Sequence, residues 1–376
     1  MANEQKATGN LKILSIVWFR VLPPLFGGQK GVAFFNEYLG RLAPLHCLCA
    51  KSNETVPASY HIENRLPSSK AQFFHPLCWR RILQAAKNQK ASHVILEFPY
   101  HGIAGWLCSK ILRTKMVVHS HNIEFLRFRQ QGKWWWKLLY GYEKWTFRRA
   151  DAVFVKTETD KGLAIQHFGI KDKRVTVIPF GINAMQKREK SWAKEILRQR
   201  HGISPNEKLL LFAGTLDYGP NAEAVENICN QLLPRFDESR IPYRVVVCGR
   251  IVYKKFAYLN DLQQESLVFA GQVADIETYF SAADVFINAV STGGGVQTKI
   301  ADALSYHVNV VCFSNMTEGI YGADGKLFTV TPGNWAMFAD ATQEALEKTA
   351  PTPAAFFRLH DWSSIADKAF RVIQNL

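Results

Sequence analysis

Short apolar runs recur along the chain, separated by stretches long enough to hold a helix. In the first half they are Leu11–Phe19, HVILEF (93–98), MVVHSH (116–121), DAVFVKT (151–157) and VTVIPFG (175–181). The intervening segments Gln29–Leu42, Trp79–Gln89 and Trp134–Arg149 read as helices. The second half repeats the theme with KLLLFAG (208–214), YRVVVCG (243–249), LVFAG (267–271), DVFINAV (284–290) and NVVCF (309–313). A helix fits Asn221–Leu233 there, and another begins near Val296. Alternation of this kind predicts parallel sheets covered on both faces. The charged helical stretch 187–200 (KREKSWAKEILRQR) and the HGISPNEK after it place a domain boundary near 183–206. Gly214, Gly249 and Gly271 each close a predicted strand, on the sheet edge where open parallel sheets bind ligands.

Composition sharpens this picture. A chain of 376 residues, 47% hydrophobic, has room for two domains with their own cores, which excludes a disordered or fibrous protein. No run of about 18 uncharged apolar residues predicts a membrane-spanning helix. The net charge of +14 is unevenly placed: residues 1–200 carry 33 basic and 13 acidic groups, and residues 201–376 carry 13 and 19. A cationic half of that strength implies a polyanionic partner. The seven cysteines are odd in number and mostly lie in apolar runs, and Cys47-Leu-Cys49 has no second pair at zinc-site spacing. We therefore expect reduced thiols and no metal. The polar start MANEQKATGN has no apolar core of a secretory leader, so the expected location is cytoplasmic.

The most informative segment is STGGGVQTKIADALSYHVNVV (291–311). Three glycines after a strand lead into a helix whose first N–H groups lack intrahelical partners and carry the positive end of its dipole. With no side chains at Gly293, Gly294 and Gly295, a phosphate can approach those donors, including the N–H of Val296. Lys299, one turn into the helix, is a candidate phosphate cation. Neither the P-loop spacing nor GxGxxG is present.

This stretch resembles the donor-diphosphate loop and helix of the retaining GT-B glycosyltransferases of family 4. FAGTLDYGPNAEAV (212–225), FAGQVADIETYFSAADVFINA (269–289), VIPFGIN (177–183) and HDWSSIADKAFRVI (360–373) are similar to further segments of that group, in the same order. In the first half, GGQKG (27–31) and HSHNIEF (119–125) resemble its glycine loop and catalytic-histidine segment. The resemblance implies a GT-B architecture: two Rossmann-like α/β parallel-sheet domains facing a central cleft. Residues 1–185 would be the acceptor domain, 186–358 the nucleotide-sugar domain, and 359–376 a helix crossing back to the first. It also implies transfer of a glycosyl group from a UDP- or GDP-linked sugar, with retention and without a metal or other cofactor. Gly27, Gly28 and the Gly293–Val296 donors would bind the diphosphate, and His121 would be the catalytic histidine. His119 competes for that role, and Asn122 and Glu124 would orient the histidine or touch the acceptor. Of the family's two glutamates, the first falls at Gly294 and the second at Asp302, which can still accept from ribose hydroxyls. The family's loop Arg and Lys fall at Asp217 and Asn221, which puts neutral or acidic groups on the sugar side. Those losses motivate an alternative, a catalytically impaired scaffold acting as a binding partner; a nucleotide-sugar epimerase is another. Arg250, Gln272 and Val273 follow strands at the same edge and are the candidates for nucleotide recognition.

Residues 126–149 (LRFRQQGKWWWKLLYGYEKWTFRR) combine seven Lys or Arg with one Glu and many aromatics. On a helix Trp135, Leu138, Leu139 and Tyr142 share one stripe. Part of it reads as core-facing, and the rest as an interfacial segment meeting an anionic membrane, peripheral on its inner face. That fits a glycan or lipid-linked acceptor. No helix-turn-helix, zinc-finger or RNP-like pattern supports nucleic acid as the polyanion.

Overall fold

The structure, a computed structural model, describes residues 11–24, 27–182, 188–239, 241–262, 264–293 and 295–376. Two compact units emerge, Met1–Gly181 with His360–Leu376, and Ile182–Leu359. The first holds a seven-stranded parallel sheet built from β1 (Ile13–Val17), β2 (Leu45–Ala50), β3 (His61–Leu66), β4 (His93–Glu97), β5 (Lys115–His119), β6 (Ala152–Val155) and β7 (Val175–Val177). Their order is β3-β2-β1-β4-β5-β6-β7. The second unit holds β8 (Lys208–Ala213), β9 (Tyr243–Cys248), β10 (Leu267–Gly271), β11 (Val285–Asn288), β12 (Asn309–Phe313) and β13 (Leu327–Val330) in the order β10-β9-β8-β11-β12-β13. Both are Rossmann-like α/β sheets, as the sequence pattern predicts. In each, the strand order reverses once, between β1 and β4 and between β8 and β11. Beyond the carboxyl ends of such a strand pair lies the crevice that this topology leaves open for ligands.

Burial on both faces explains why the strands read as continuous apolar runs. β8 sends Leu210 and Phe212 into one core and Leu209, Leu211 and Ala213 into the other. Three strands escape the sequence pattern. β3 and β13 are edge strands, and β3 (HIENRL) alternates too many polar groups to look apolar. In β2, His46 interrupts the run, yet the strand is buried throughout. All seven cysteines are free and buried.

Several helices differ from expectation in their bounds. The first spans Gly27–Gly40, so Gly27 and Gly28 open the helix itself. The expected helix over Asn221–Leu233 runs as Gly219–Asn227, a π-helical turn Ile228–Leu232, and Leu233–Glu238. The break ends just before Pro234, which has no N–H to continue the ladder. The helix after the glycine turn starts at Thr298, two residues beyond Val296. The terminal helix Trp362–Gln374 is capped by Asp361, whose carboxylate accepts from Ser364 N at 3.1 Å. Trp362 is buried against Gly181, Phe180 and Phe34 within the first unit. Truncating a buried Trp costs about 3–5 kcal/mol, so this helix is integral to that unit.

The aromatic segment is corrected in one respect. Its helix spans Trp136–Arg149, and the buried positions are Leu139, Glu143, Thr146 and Phe147. Leu138 does not join a core-facing stripe: it is 71% exposed, and Trp134 before it is 83% exposed. Among the described residues, no helix is long and apolar enough to cross a membrane.

Candidate active site

At the first unit's carboxyl edge, three adjacent strands end in a buried group of charged and titratable side chains. Glu97 is the last residue of β4 and His119 the last of β5, while Lys156 follows β6 directly. Parallel pairing in register places Glu97 opposite His119. Their exposures are 1%, 0% and 3%. His119 Nδ1 stands 3.1 Å from a Glu97 oxygen, His121 Nε2 lies 2.8 Å from Glu97 Oε2, and Lys156 Nζ meets His119 Nε2 at 2.7 Å. Burial, reinforced by the Lys156 ammonium, holds His119 well below the usual histidine range. Burial, then Lys156 and His119, push His121 down to about 3, against the opposing pull of Glu97. Burial also brings Lys156 down to about 8. Both imidazoles are therefore neutral at pH 7.

These assignments fix the protons. The lysine ammonium donates to His119 Nε2, so His119 carries its hydrogen on Nδ1 and donates it to Glu97. Glu97 then accepts again from His121 Nε2–H. Glu97, His119 and His121 also offer three metal-type donor atoms within 4.8 Å of one another. Those donors already close on one another as hydrogen bonds, with a cation behind them. Phe98 stacks on His121 at 4.6 Å between ring centroids and holds φ at +70°, a left-handed conformation costly for a phenylalanine. Strain next to a buried charged group is typical of functional sites. His121 itself is only partly buried, and a Cβ on Gly31 would lie 3.9 Å from its Cε1. The helix opened by Gly27 and Gly28 thus packs beside the histidine, and Gly28 is exposed with open space around it.

Asn122 donates to Glu124 Oε1 at 3.3 Å. Glu124 is fully buried and also accepts from the Tyr100 hydroxyl, so it is occupied within the fold rather than presented to a ligand. Behind it, Glu143 accepts from the N–H groups of Glu124 and Phe125 at 3.0 and 2.9 Å, satisfying the start of the helix Glu124–Gln130. Burial pushes Glu143 up to about 8 despite those donors.

In the second unit the corresponding edge is made of backbone. Gly293 and Gly295 adopt φ of +118° and +85°, conformations that side chains rarely tolerate, so the turn between β11 and the helix Thr298–Ser305 depends on glycine. Gly294 lies outside the described residues. Val296 precedes the helix with its N–H outside the ladder. Ser291 and Thr292 donate to the two oxygens of Glu223, both at 3.2 Å, and Asn315 donates to Ser291 O, so the turn is tied down at its start. Gly249 and Gly214 serve close packing: a Cβ on Gly249 would fall 2.0 Å from Gly214 O, and one on Gly214 would meet Asn221 at 2.8 Å.

The side chains expected around this edge largely pair with each other. Lys299 donates to Asp302 Oδ2 at 2.8 Å. Asp217 is not presented to a sugar: its Oδ1 accepts from Val252 N and Tyr253 N at 2.8 and 2.9 Å, and Arg250 Nε approaches Oδ2 at 3.7 Å. Burial would raise the Asp217 carboxyl, but those N–H groups and Arg250 hold it below its ordinary value. Asn221 donates to Thr215 O at 2.9 Å and braces the same loop. Gln272 is exposed and Val273 half-buried after β10, on the same edge. Sequence reasoning passed over Glu97 and Lys156 as strand residues. Their signal was a charge at the carboxyl end of an otherwise apolar run.

Comparison with known proteins agrees with the fold. The glycosyltransferase family 4 domain matches residues 35–186, and the glycosyl transferases group 1 domain matches residues 207–348. No curated protein sequence matches the chain. Among solved structures, a glycosyltransferase from Rickettsia africae superimposes with a TM-score of 0.72 at 13% identity, covering 97% of this chain and 98% of its own. Anabaena HepE in complex with UDP and glucose gives 0.70 at 16% identity, covering 97% and 100%. WaaG, a glycosyltransferase involved in lipopolysaccharide biosynthesis, gives 0.67 at 17% identity, covering 96% and 99%. Two domain matches that together span most of both sheets, on two Rossmann-like units, place the chain among the GT-B glycosyltransferases.

Proposed function

We propose that this enzyme transfers a sugar from a nucleotide-diphospho-sugar to a glycan or lipid-linked acceptor, with retention of configuration and without a metal. The observation that carries the donor half is the turn at Gly293, Gly295 and Val296, beyond the strand-order reversal of the second sheet. Its glycine conformations leave N–H groups free of side-chain cover at the start of a helix, where the leaving diphosphate needs positive potential. The paired Lys299 and Asp302 stand within that first turn and a half, Asp302 as the acceptor for ribose hydroxyls. HepE, crystallised with UDP and glucose, makes UDP-linked sugars the first donors to try, with GDP-linked ones beside them. On the acceptor side, His121 presents a neutral imidazole held by Glu97. Isothermal calorimetry with UDP, GDP and their common sugars is the test. Binding in the micromolar to millimolar range supports the reading; failure of every nucleotide would leave a GT-B scaffold without transfer.

The acceptor's setting follows from the first unit's surface. Residues 66–150 contain 15 Lys or Arg and three acids, Glu97, Glu124 and Glu143. All three acids are at most 1% exposed, so no acid of that stretch reaches solvent. On the same stretch Trp134, Leu138, Phe74 and Leu77 are more than half exposed. Phe74 packs edge-on to Tyr142, one helical turn from Leu138, which links these residues across the surface. Each cation near an anionic bilayer contributes about 1 kcal/mol, and exposed Trp and Leu add insertion at headgroup depth. We read this face as resting on an anionic membrane that carries the acceptor. Flotation with vesicles containing phosphatidylglycerol, but not with neutral ones, is the expected result. Equal failure with both would remove the membrane from the proposal.

A further inference from the structure

The first unit buries more titratable machinery than a lone active-site histidine requires. Lys156, His119 and Glu97 form an unbroken chain of hydrogen bonds of 2.7 and 3.1 Å, and a further bond of 2.8 Å joins Glu97 to His121. A buried ammonium is expensive unless something fixes its proton, and here the His119 lone pair does so. Glu97 and His119 end two paired strands and Lys156 directly follows a third, so sheet pairing sets their spacing. Phe35 and Phe154 close on His119 at 4.4 and 6.2 Å between ring centroids, which locks that ring, and Phe98 covers His121.

The direction of donation is the informative part. Lys156 has only hydrogens to give, so His119 Nε2 must accept and Nδ1 must donate. A carboxylate has only lone pairs to offer, so Glu97 receives from both imidazoles. His121 is left with its hydrogen on Nε2 and a bare lone pair on Nδ1, and among the described residues none bonds that nitrogen. We propose that Lys156, His119 and Glu97 are positioning residues that hold His121 as its Nε2–H tautomer, keeping Nδ1 as an acceptor for a hydroxyl of the transferred sugar. This rests on reading His121 as the sugar-side residue. The two histidines should then be opposite tautomers, His119 with Nδ1–H and His121 with Nε2–H. No proton is transferred along the chain: each group keeps its own and orients the next.

The charged and titratable groups that reach Lys156 are Glu97 from β4, His119 and His121 at and beyond the end of β5, and Asp160 in the helix Glu158–Phe168. Once Lys156 loses its proton, His119 can turn its hydrogen toward the amine. Glu97 then loses one donor, and the order at His121 relaxes. An alkaline fall in turnover with a midpoint near that of Lys156, about 8, is expected in the wild type.

Nitrogen-15 histidine NMR of the full chain at pH 7 tests the tautomers directly, with His119→Gln and His121→Gln spectra providing assignment. It needs no substrate, so it reads the positioning even if transfer itself is not observed. Opposite neutral tautomers support the proposal; His121 found as Nδ1–H or as imidazolium overturns it. Kinetics then tests the consequence. Glu97→Gln, which replaces one of the two oxygens that the rings bond with an NH2 donor, should lower kcat by about 10² with donor KM unchanged. Glu97→Asp should restore part of that loss. Lys156→Met, close in shape and neutral, should abolish the alkaline limb. Wild-type turnover and an intact alkaline limb in Lys156→Met would overturn the proposal, as would a loss seen only in KM. Titration with Zn²⁺ alone closes the remaining alternative. Joint displacement of both histidine resonances at micromolar metal would show a metal centre in place of a hydrogen-bonded chain.

Discussion

The carboxyl edge of the first sheet and that of the second put polarity to opposite use. The first edge is made of side chains: a carboxylate, two imidazoles and an ammonium, all but one excluded from solvent. Those groups hold directional hydrogen bonds in a low-dielectric setting, which suits the orientation of one reacting partner. The second edge is made of backbone, from a glycine turn and a helix start, while its ionic side chains neutralise one another in pairs. Such an edge offers positive potential without committing a buried charge, which suits an anion that arrives and leaves. The same fold thus supplies a rigid, hydrogen-bonded side-chain environment on one sheet and, on the function proposed above, a backbone site for the leaving diphosphate on the other.

The largest effect should come from breaking the first edge at its exposed end. His121→Ala removes the only member of that group with solvent access. Transfer is expected to fall by about 10²–10⁴ in kcat, while calorimetric affinity for the free nucleoside diphosphate stays within about twofold. A parallel collapse of nucleotide binding would mean that the two edges do not divide the work in this way.

The difference also governs what could be read from the chain. The sheets were legible because strands buried on both faces must be apolar throughout, as in KLLLFA and NVVCF. The edge strand β3, with polar groups at most of its positions, has no such constraint and escaped. The glycine turn was legible because only glycine accepts φ near +118° and +85°, so its sequence is forced by its geometry. The side-chain edge was legible only at His119 and His121, through the resemblance. Glu97, His119 and Lys156 lie far apart in sequence, and only the register of β4, β5 and β6 brings them together. Asp217 shows the converse hazard. A family position suggested a sugar contact, whereas the fold spends its carboxylate on two loop N–H groups.

Glycine dependence sharpens the comparison from the other side. Gly295→Val places a β-branched residue at φ +85°, at a cost of about 1–3 kcal/mol, in the turn that should cradle phosphate. Nucleoside diphosphate affinity should drop at least tenfold, and the histidine tautomers of the first unit should stay unchanged by NMR. Unaltered affinity would take the turn out of the donor site.

Acidification should separate the two units. Burial lowers His46, His93, His101, His119 and His121 in the first unit, with His101 and His121 at about 3. Each is neutral in the fold yet takes up a proton in the unfolded chain below its ordinary 6.5. Stability is therefore full above that pH and is lost as pH falls below 6.5, a loss that continues to about 3 for His101 and His121, by about 1.4 kcal/mol per unit for each fully buried ring. Glu143 works against this, since its raised value lets the fold bind a proton between about 8 and 4.5. One glutamate offsets only part of five histidines. In the second unit burial lowers His201, while Asp284, which burial would raise, is held below its ordinary value by Lys190 and Lys194. That contribution lasts until pH falls below the ordinary aspartate value of 3.8. Hydrogen exchange at pH 7.5 and 5.5 should show β4–β6 losing protection before β8–β12, and uniform loss would contradict the contrast.

The smallest expected effect concerns the ion pair beside the glycine turn. Lys299 and Asp302 sit one turn apart with side chains 30% and 19% exposed, so water screens much of their attraction. A helical pair of this kind is worth about 0.2–0.5 kcal/mol. Asp302→Asn therefore leaves the fold nearly as stable and releases a cation one residue into the helix that follows the turn. If the turn binds phosphate through N–H groups, the freed ammonium adds to a potential that is already positive. The variant also keeps an amide oxygen able to accept from ribose. The expected outcome is a change in nucleoside diphosphate affinity of less than about fivefold, with tighter binding at low ionic strength that fades as salt is raised. A loss greater than tenfold would instead make the carboxylate itself the main contact. The second edge would then rely on a side chain as the first one does, and the contrast between them would fail.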